Sequence, residues 1–125
     1  MKPSITKNLL IAATLIIAFG CEDFLEKDLS DKAPTLIAPA DSVETLHQNL
    51  TFAWESMEGA ENYRLIVVSP SFERAELYLL DTLVEKLSFG VTLTPRQYEW
   101  KVRAENSAYE SLYTQRTFTI IEKEE

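Results

Sequence analysis

Leu93-Thr94-Pro95-Arg96-Gln97-Tyr98-Glu99-Trp100-Lys101-Val102-Arg103-Ala104-Glu105-Asn106 is the stretch on which the fold turns. From Tyr98 onward it alternates: Tyr98, Trp100, Val102 and Ala104 on one side, Glu99, Lys101, Arg103 and Glu105 on the other. Period two with one apolar side is the pattern of a strand half-buried against a core. Downstream, a strand over about Leu112–Ile121 turns Phe118 and Ile120 inward and Thr117 and Thr119 outward. Upstream, Leu87, Phe89, Val91 and Leu93 alternate with Ser88, Gly90 and Thr92.

Further upstream the same period continues. Tyr63, Leu65 and Val67 form the inward set of a strand that stops at Ser69-Pro70, after a turn at Glu58-Gly59-Ala60-Glu61-Asn62. Leu50, Phe52 and Trp54 alternate with Thr51, Ala53 and Glu55, and Thr35-Leu36-Ile37-Ala38 reads as a first strand ended by Pro39. The segment Glu76–Val84 fits either a strand or a short amphipathic helix, and its all-β surroundings favour the strand. Seven short strands between turn signals predict an all-β, antiparallel sandwich over residues 33–121, followed by a charged tail at 122–125. Its core is expected to rest on Trp54, Tyr63, Phe89, Tyr98, Trp100 and Phe118, since a domain this small needs large side chains.

Phe52-Ala53-Trp54-Glu55, Tyr63-Arg64-Leu65 and the 93–106 stretch together resemble a fibronectin type III domain. The most specific element is Leu93-x-Pro95-x-x-Tyr98, which matches that family's tyrosine corner. There a Tyr hydroxyl bonds backbone a few residues upstream and fixes the passage between sheets. The resemblance implies a seven-stranded Greek-key sandwich of immunoglobulin-like type, with Trp54 as the core tryptophan of the second strand. Trp100 departs from it, standing where many members carry a smaller aliphatic residue.

The chain opens differently. Lys2 and Lys7 precede an uncharged apolar run, Leu9–Phe19, and small residues at Ala18 and Gly20 lead to Cys21, the one cysteine. About eleven residues make a helix of roughly 16 Å, too short for a bilayer core of about 30 Å. Residues 1–20 therefore read as a cleaved signal peptide. Ile17-Ala18-Phe19-Gly20-Cys21 resembles a bacterial lipobox, which implies lipid attachment at Cys21; Ala18-x-Gly20 also satisfies an ordinary signal-peptidase site, which would release a soluble secreted protein. The acidic stretch 21–32 is expected to be a flexible tether, and its composition resembles the surface-export signal of Bacteroidota outer-membrane lipoproteins.

Composition narrows the function classes. Removing residues 1–20 takes away two lysines and no acid, so the net charge moves from −8 to −10. Such a chain lacks the basic face that nucleic acid demands. His47 is the one histidine, the three glycines are dispersed, and neither a calcium loop nor a Gly-x-Ser-x-Gly motif occurs. No enzyme activity, cofactor or metal is expected. Tyr78, Tyr109 and Tyr113 are candidates for a binding surface, since aromatics at a sandwich edge anchor a protein or stack on sugars. The expectation is a surface-displayed, membrane-anchored protein-interaction module, with a glycan-binding accessory of a polysaccharide-uptake system as the alternative. Asp41-Ser42-Val43 and Asp81-Thr82-Leu83 also resemble short O-glycosylation motifs.

Overall fold

The computed structural model describes residues 25–124, so the signal peptide and the lipid-attachment expectation at Cys21 lie outside the described residues. Eight strands run in chain order: β1 Leu36–Ala38, β2 Val43–Thr45, β3 Asn49–Trp54, β4 Asn62–Ser69, β5 Leu77–Val84, β6 Ser88–Thr92, β7 Gln97–Glu105 and β8 Thr114–Ile120. They form two sheets, β1-β3-β6 and β2-β8-β7-β4-β5. The inner faces meet over a core that includes Phe52, Trp54, Leu65, Tyr98, Trp100, Val102, Phe118 and Ile120. The segment 76–84, which fits strand or helix by sequence, is a strand paired antiparallel with β4.

The eighth strand corrects the expectation of seven, all antiparallel. β2 holds one apolar residue, Val43, in its three positions, too short a run to alternate visibly. Its place is set by backbone pairing: it lies parallel to β8, with Val43 opposite Phe118 and Thr45 opposite Ile120. After β1 the chain crosses from one sheet to the other through a turn in which Ser42 takes a left-handed φ of 62°. The crossing is tied on both sides, because Ser42 N–H donates to the Thr117 carbonyl (2.8 Å) and Thr117 N–H donates to Asp41 Oδ1 (3.0 Å).

Ring packing links the two sheets. Phe52 of β3 lies 4.9 Å from Trp100 of β7 and 5.9 Å from Phe118 of β8, centroid to centroid. Tyr98 stacks on Phe118 at 5.2 Å, and Trp54 meets Tyr63 at 5.8 Å. Phe89 is half-buried and packs against this cluster from the edge strand β6. The Tyr98 hydroxyl donates to the Thr94 carbonyl at 2.6 Å, the bond that the 93–98 stretch predicts.

Residues 25–32 depart from the expected flexible tether. Leu29 is completely buried and belongs to the core cluster. Lys32 N–H donates to the Leu29 carbonyl, and Leu112 N–H donates to the Lys32 carbonyl, at 3.0 and 2.8 Å. Asn106 Nδ2 donates to the carbonyls of both Lys27 (2.8 Å) and Gly59 (3.1 Å). Lys27 also pairs with Glu58 at 2.9 Å. Gly59 has φ +88°, and a Cβ there would sit 2.7 Å from the Lys27 Cβ, so glycine is what lets the segment lie this close. One leucine, two backbone hydrogen bonds, the Asn106 bond and one ion pair hold the segment, and none of these produces a periodic pattern.

Candidate interaction surface

The ladder of the five-stranded sheet assigns its outward face residue by residue. β7 turns Glu99, Lys101, Arg103 and Glu105 outward because its alternate residues fill the core. Register then brings Ile66 beside Lys101, Arg64 beside Arg103, and Gln115 across from Lys101. On β5, Leu83 stands opposite Arg64, Asp81 opposite Ile66, and Tyr78 opposite Val68. Tyr113 immediately precedes β8, level with Arg103.

The cations on this face are all engaged. Arg64 binds Asp81 at 2.8 Å and Glu105 at 3.3 Å. Arg103 binds the same Glu105 oxygen at 2.9 Å and Glu110 at 2.6 Å. The hydrogen bond to Asp81, with Glu105 adding its own, raises the Arg64 pKa further. Lys101 Nζ lies 4.3 Å from the centre of the Phe72 ring and 4.4 Å from that of Tyr113, with the Arg103 guanidinium 5.0 Å from the Tyr113 ring. Burial pushes the Tyr113 hydroxyl up, against the opposing pull of the Arg103 and Arg64 charges.

Phe72 reaches this position from the connection between β4 and β5. Its N–H donates to Glu99 Oε1 at 2.8 Å, and Gln115 Nε2 donates to the other Glu99 oxygen at 3.1 Å. Val68, opposite Glu99 in the ladder, is fully buried without belonging to the core cluster. The sequence reading missed Phe72, Lys101 and the Arg64–Glu105–Arg103 network. A lone aromatic in a polar connection was the available signal for Phe72; the pairings themselves depend on register across strands.

The three candidate tyrosines do not form one cluster. Tyr78 and Tyr113 share the outward face, on opposite sides of β4 and β7. Tyr78 is 69% exposed, whereas Tyr113 is half-buried under its cation contacts. Tyr109 sits at the end of the sandwich in the β7–β8 connection, where its N–H donates to Asn106 Oδ1. Of the two glycosylation candidates, Ser42 is exposed in the β1–β2 turn, while Thr82 is half-buried beside the inward Leu65.

His47 is exposed and lines an open cavity of about 290 Å³ with Pro39, Val43, Leu50 and Asn49. The Asn49 side-chain oxygen there already accepts from Thr92 Oγ1 at 2.7 Å. Among the described residues, no group of three or more His, Cys, Asp or Glu is arranged to hold a metal ion.

Solved structures share this architecture. The fibronectin type III domain derived from the human KIAA0970 protein is 14% identical, with a TM-score of 0.54 over 78% of this chain and 77% of that one. The FN1–FN3 domains of chicken CNTN1 are 16% identical, with a TM-score of 0.54 over 78% of this chain and 36% of that one. The fold is therefore that of a fibronectin type III domain. No family model and no curated protein matches the chain.

Proposed function

We propose that this protein is a non-catalytic bacterial lipoprotein of Bacteroidota type, attached through Cys21 to the outer membrane, and that it presents its sandwich at the cell surface to bind another envelope protein. The observation that carries the reading is the outward face of the five-stranded sheet. There Lys101 lies between the Phe72 and Tyr113 rings, with the paired Arg64, Arg103 and Glu105 beside it. Aromatic and arginine side chains held in place before contact lose little conformational freedom on binding, and these residue types dominate protein interfaces. A face whose charges are internally paired suits a protein partner better than a polyanion.

Glycan binding stays as the competing reading, and the same geometry narrows it. Phe72 and Tyr113 each give a ring face to Lys101, which leaves the exposed Tyr78 as the ring on this side open to stacking on a sugar. The test is cross-linking in membranes followed by capture, comparing the parent with a Tyr113→Ala, Lys101→Ala double variant, alongside a glycan array on the chain from residue 22. A partner lost with the double variant supports the proposal; strong array signals without a cross-linked protein overturn it. Mass spectrometry of the mature N-terminus tests the anchor, and an unmodified Cys21 removes it.

A further inference from the structure

Each sheet has two edge strands, and they differ. β1 and β2 are three residues long, and β6 is five with Gly90 at its centre. β5 is eight residues, Leu77-Tyr78-Leu79-Leu80-Asp81-Thr82-Leu83-Val84, without Pro, Gly or Lys. Among the described residues, no strand pairs with the side of β5 that faces away from β4. Leu77, Tyr78 and Leu83 are 40%, 69% and 46% exposed along it. Natural sheets blunt such an edge with lysine, proline or brevity. The devices present are a register shift at Val67/Val68, which leaves Leu80–Val84 in regular pairing, and one charge, Asp81, which is paired with Arg64 of β4.

We propose that β5 is a docking edge that takes up an extended strand of a partner protein, apolar at alternate positions and carrying Lys or Arg at its ends. The inference rests on the reading of the protein as an interaction module and adds a second contact for its partner, at the sheet edge beyond the Lys101 face. A free edge supplies backbone donors and acceptors at regular spacing, which an extended chain satisfies whatever its exact sequence, while exposed side chains select among such chains. The flanks select for positive charge: Glu73, Glu76 and Glu85 are exposed around the strand against Arg74 and Lys86. A second copy fits poorly. Two β5 strands overlapping end to end in antiparallel register would set Glu76 against Glu85 twice, on mature chains that each carry −10 once Lys2 and Lys7 are removed from the −8 of the full sequence. Like charges directly opposite oppose pairing.

The probe is a blocked synthetic peptide, Lys-Val-Thr-Val-Thr-Val-Lys, added to the mature lipidated protein in neutral detergent micelles. Backbone amide exchange is then followed by NMR. The expected result is slowed exchange and shifted resonances confined to Leu77–Val84 and their β4 neighbours. Methylating the peptide's backbone nitrogens, which keeps charge and side chains but removes the donors, should weaken binding roughly tenfold or more. A Leu77→Lys, Leu83→Lys variant with an unchanged melting temperature should bind equally weakly. Equal affinity for the methylated peptide, shifts mapping to Lys101 and Tyr113 instead, no binding, or concentration-dependent protection of β5 without peptide would each overturn the edge. A membrane partner captured equally by parent and Lys variant would keep the interaction module and reject β5 as its edge.

Discussion

The Tyr98 hydroxyl reaches back four residues to the Thr94 carbonyl at 2.6 Å, while its ring stacks on Phe118. One side chain thus joins the turn before β7 to the core between the sheets. Tyr98→Phe keeps the ring and removes the bond. It should cost about 1–2 kcal/mol, which for a domain of this size lowers the melting temperature by roughly 5–15 °C. A thermal melt followed by circular dichroism measures it, and a shift under about 2 °C would mean that the corner contributes nothing beyond packing.

Trp100 presents a different balance. Its ring packs on Phe52, but among the described residues neither its Nε1 nor that of Trp54 has a hydrogen-bond partner, although both are buried. An unpaired buried donor costs about 1–3 kcal/mol. Trp100→Phe removes that cost while opening a modest void, so it should destabilise by less than half as much as Trp100→Ala, for which about 3–5 kcal/mol is expected. Denaturant midpoints of the two variants give the ratio directly. Comparable losses would show that volume alone governs the site.

Leu29→Ala tests whether the N-terminal segment belongs to the domain. Deleting a fully buried leucine side chain costs about 2–5 kcal/mol, against near zero for the same change in a solvated linker. Amide exchange at Lys32 and Leu112 should accelerate together in the variant, because their bonds hold the same segment. Unaltered stability would return residues 25–32 to the role of a spacer.

The N-terminal segment also brings like charges together. A hydrogen bond and repulsion from Glu26 both raise the Glu61 carboxyl above its usual range. An acid whose folded pKa is raised binds more protons folded than unfolded across the window above the ordinary glutamate value. Stability therefore falls as pH rises through that window, and acidification restores it. Glu61→Gln should be at least as stable as the parent at pH 7, with the difference closing as pH drops to the ordinary glutamate range. Asp28 and Glu58 run the opposite way: hydrogen bonds from Ser30 and Lys27 lower them, so their contributions fade on acidification. Urea midpoints across this pH range separate the two, and a Glu61→Gln variant weaker than the parent at pH 7 would reject the repulsion.

What the sequence made legible was whatever repeats with a strand's period. Tyr98, Trp100, Val102 and Ala104 announce β7, and the Leu93-x-Pro95-x-x-Tyr98 spacing announces the bond that closes it. β2 was hidden because three residues cannot display a period, and what holds it is backbone pairing with β8. Leu29 was hidden because a single apolar residue among acids looks the same in a tether as in a core. The candidate surface was half legible. Tyr113 and Tyr78 stand out as aromatics, but the position of Lys101 between two rings is fixed by ladder register and by where the 70–76 connection lays Phe72.

The clasp of Asn106 on the Lys27 and Gly59 carbonyls, together with the burial of Leu29, has a mechanical meaning for an anchored protein. With lipid on Cys21, as proposed, only four residues separate the anchor from Glu26, whose carboxylate accepts from Ser107 Oγ at 2.6 Å. At about 3.3–3.6 Å per residue that leash spans less than roughly 20 Å however it is arranged. The Gly59–Asn106 end of the sandwich would then ride low against the lipid and the Tyr98 corner would point outward. A load applied by a partner would travel along the chain to Leu29 and strain the first layer of the core, so that grip and unfolding share one path.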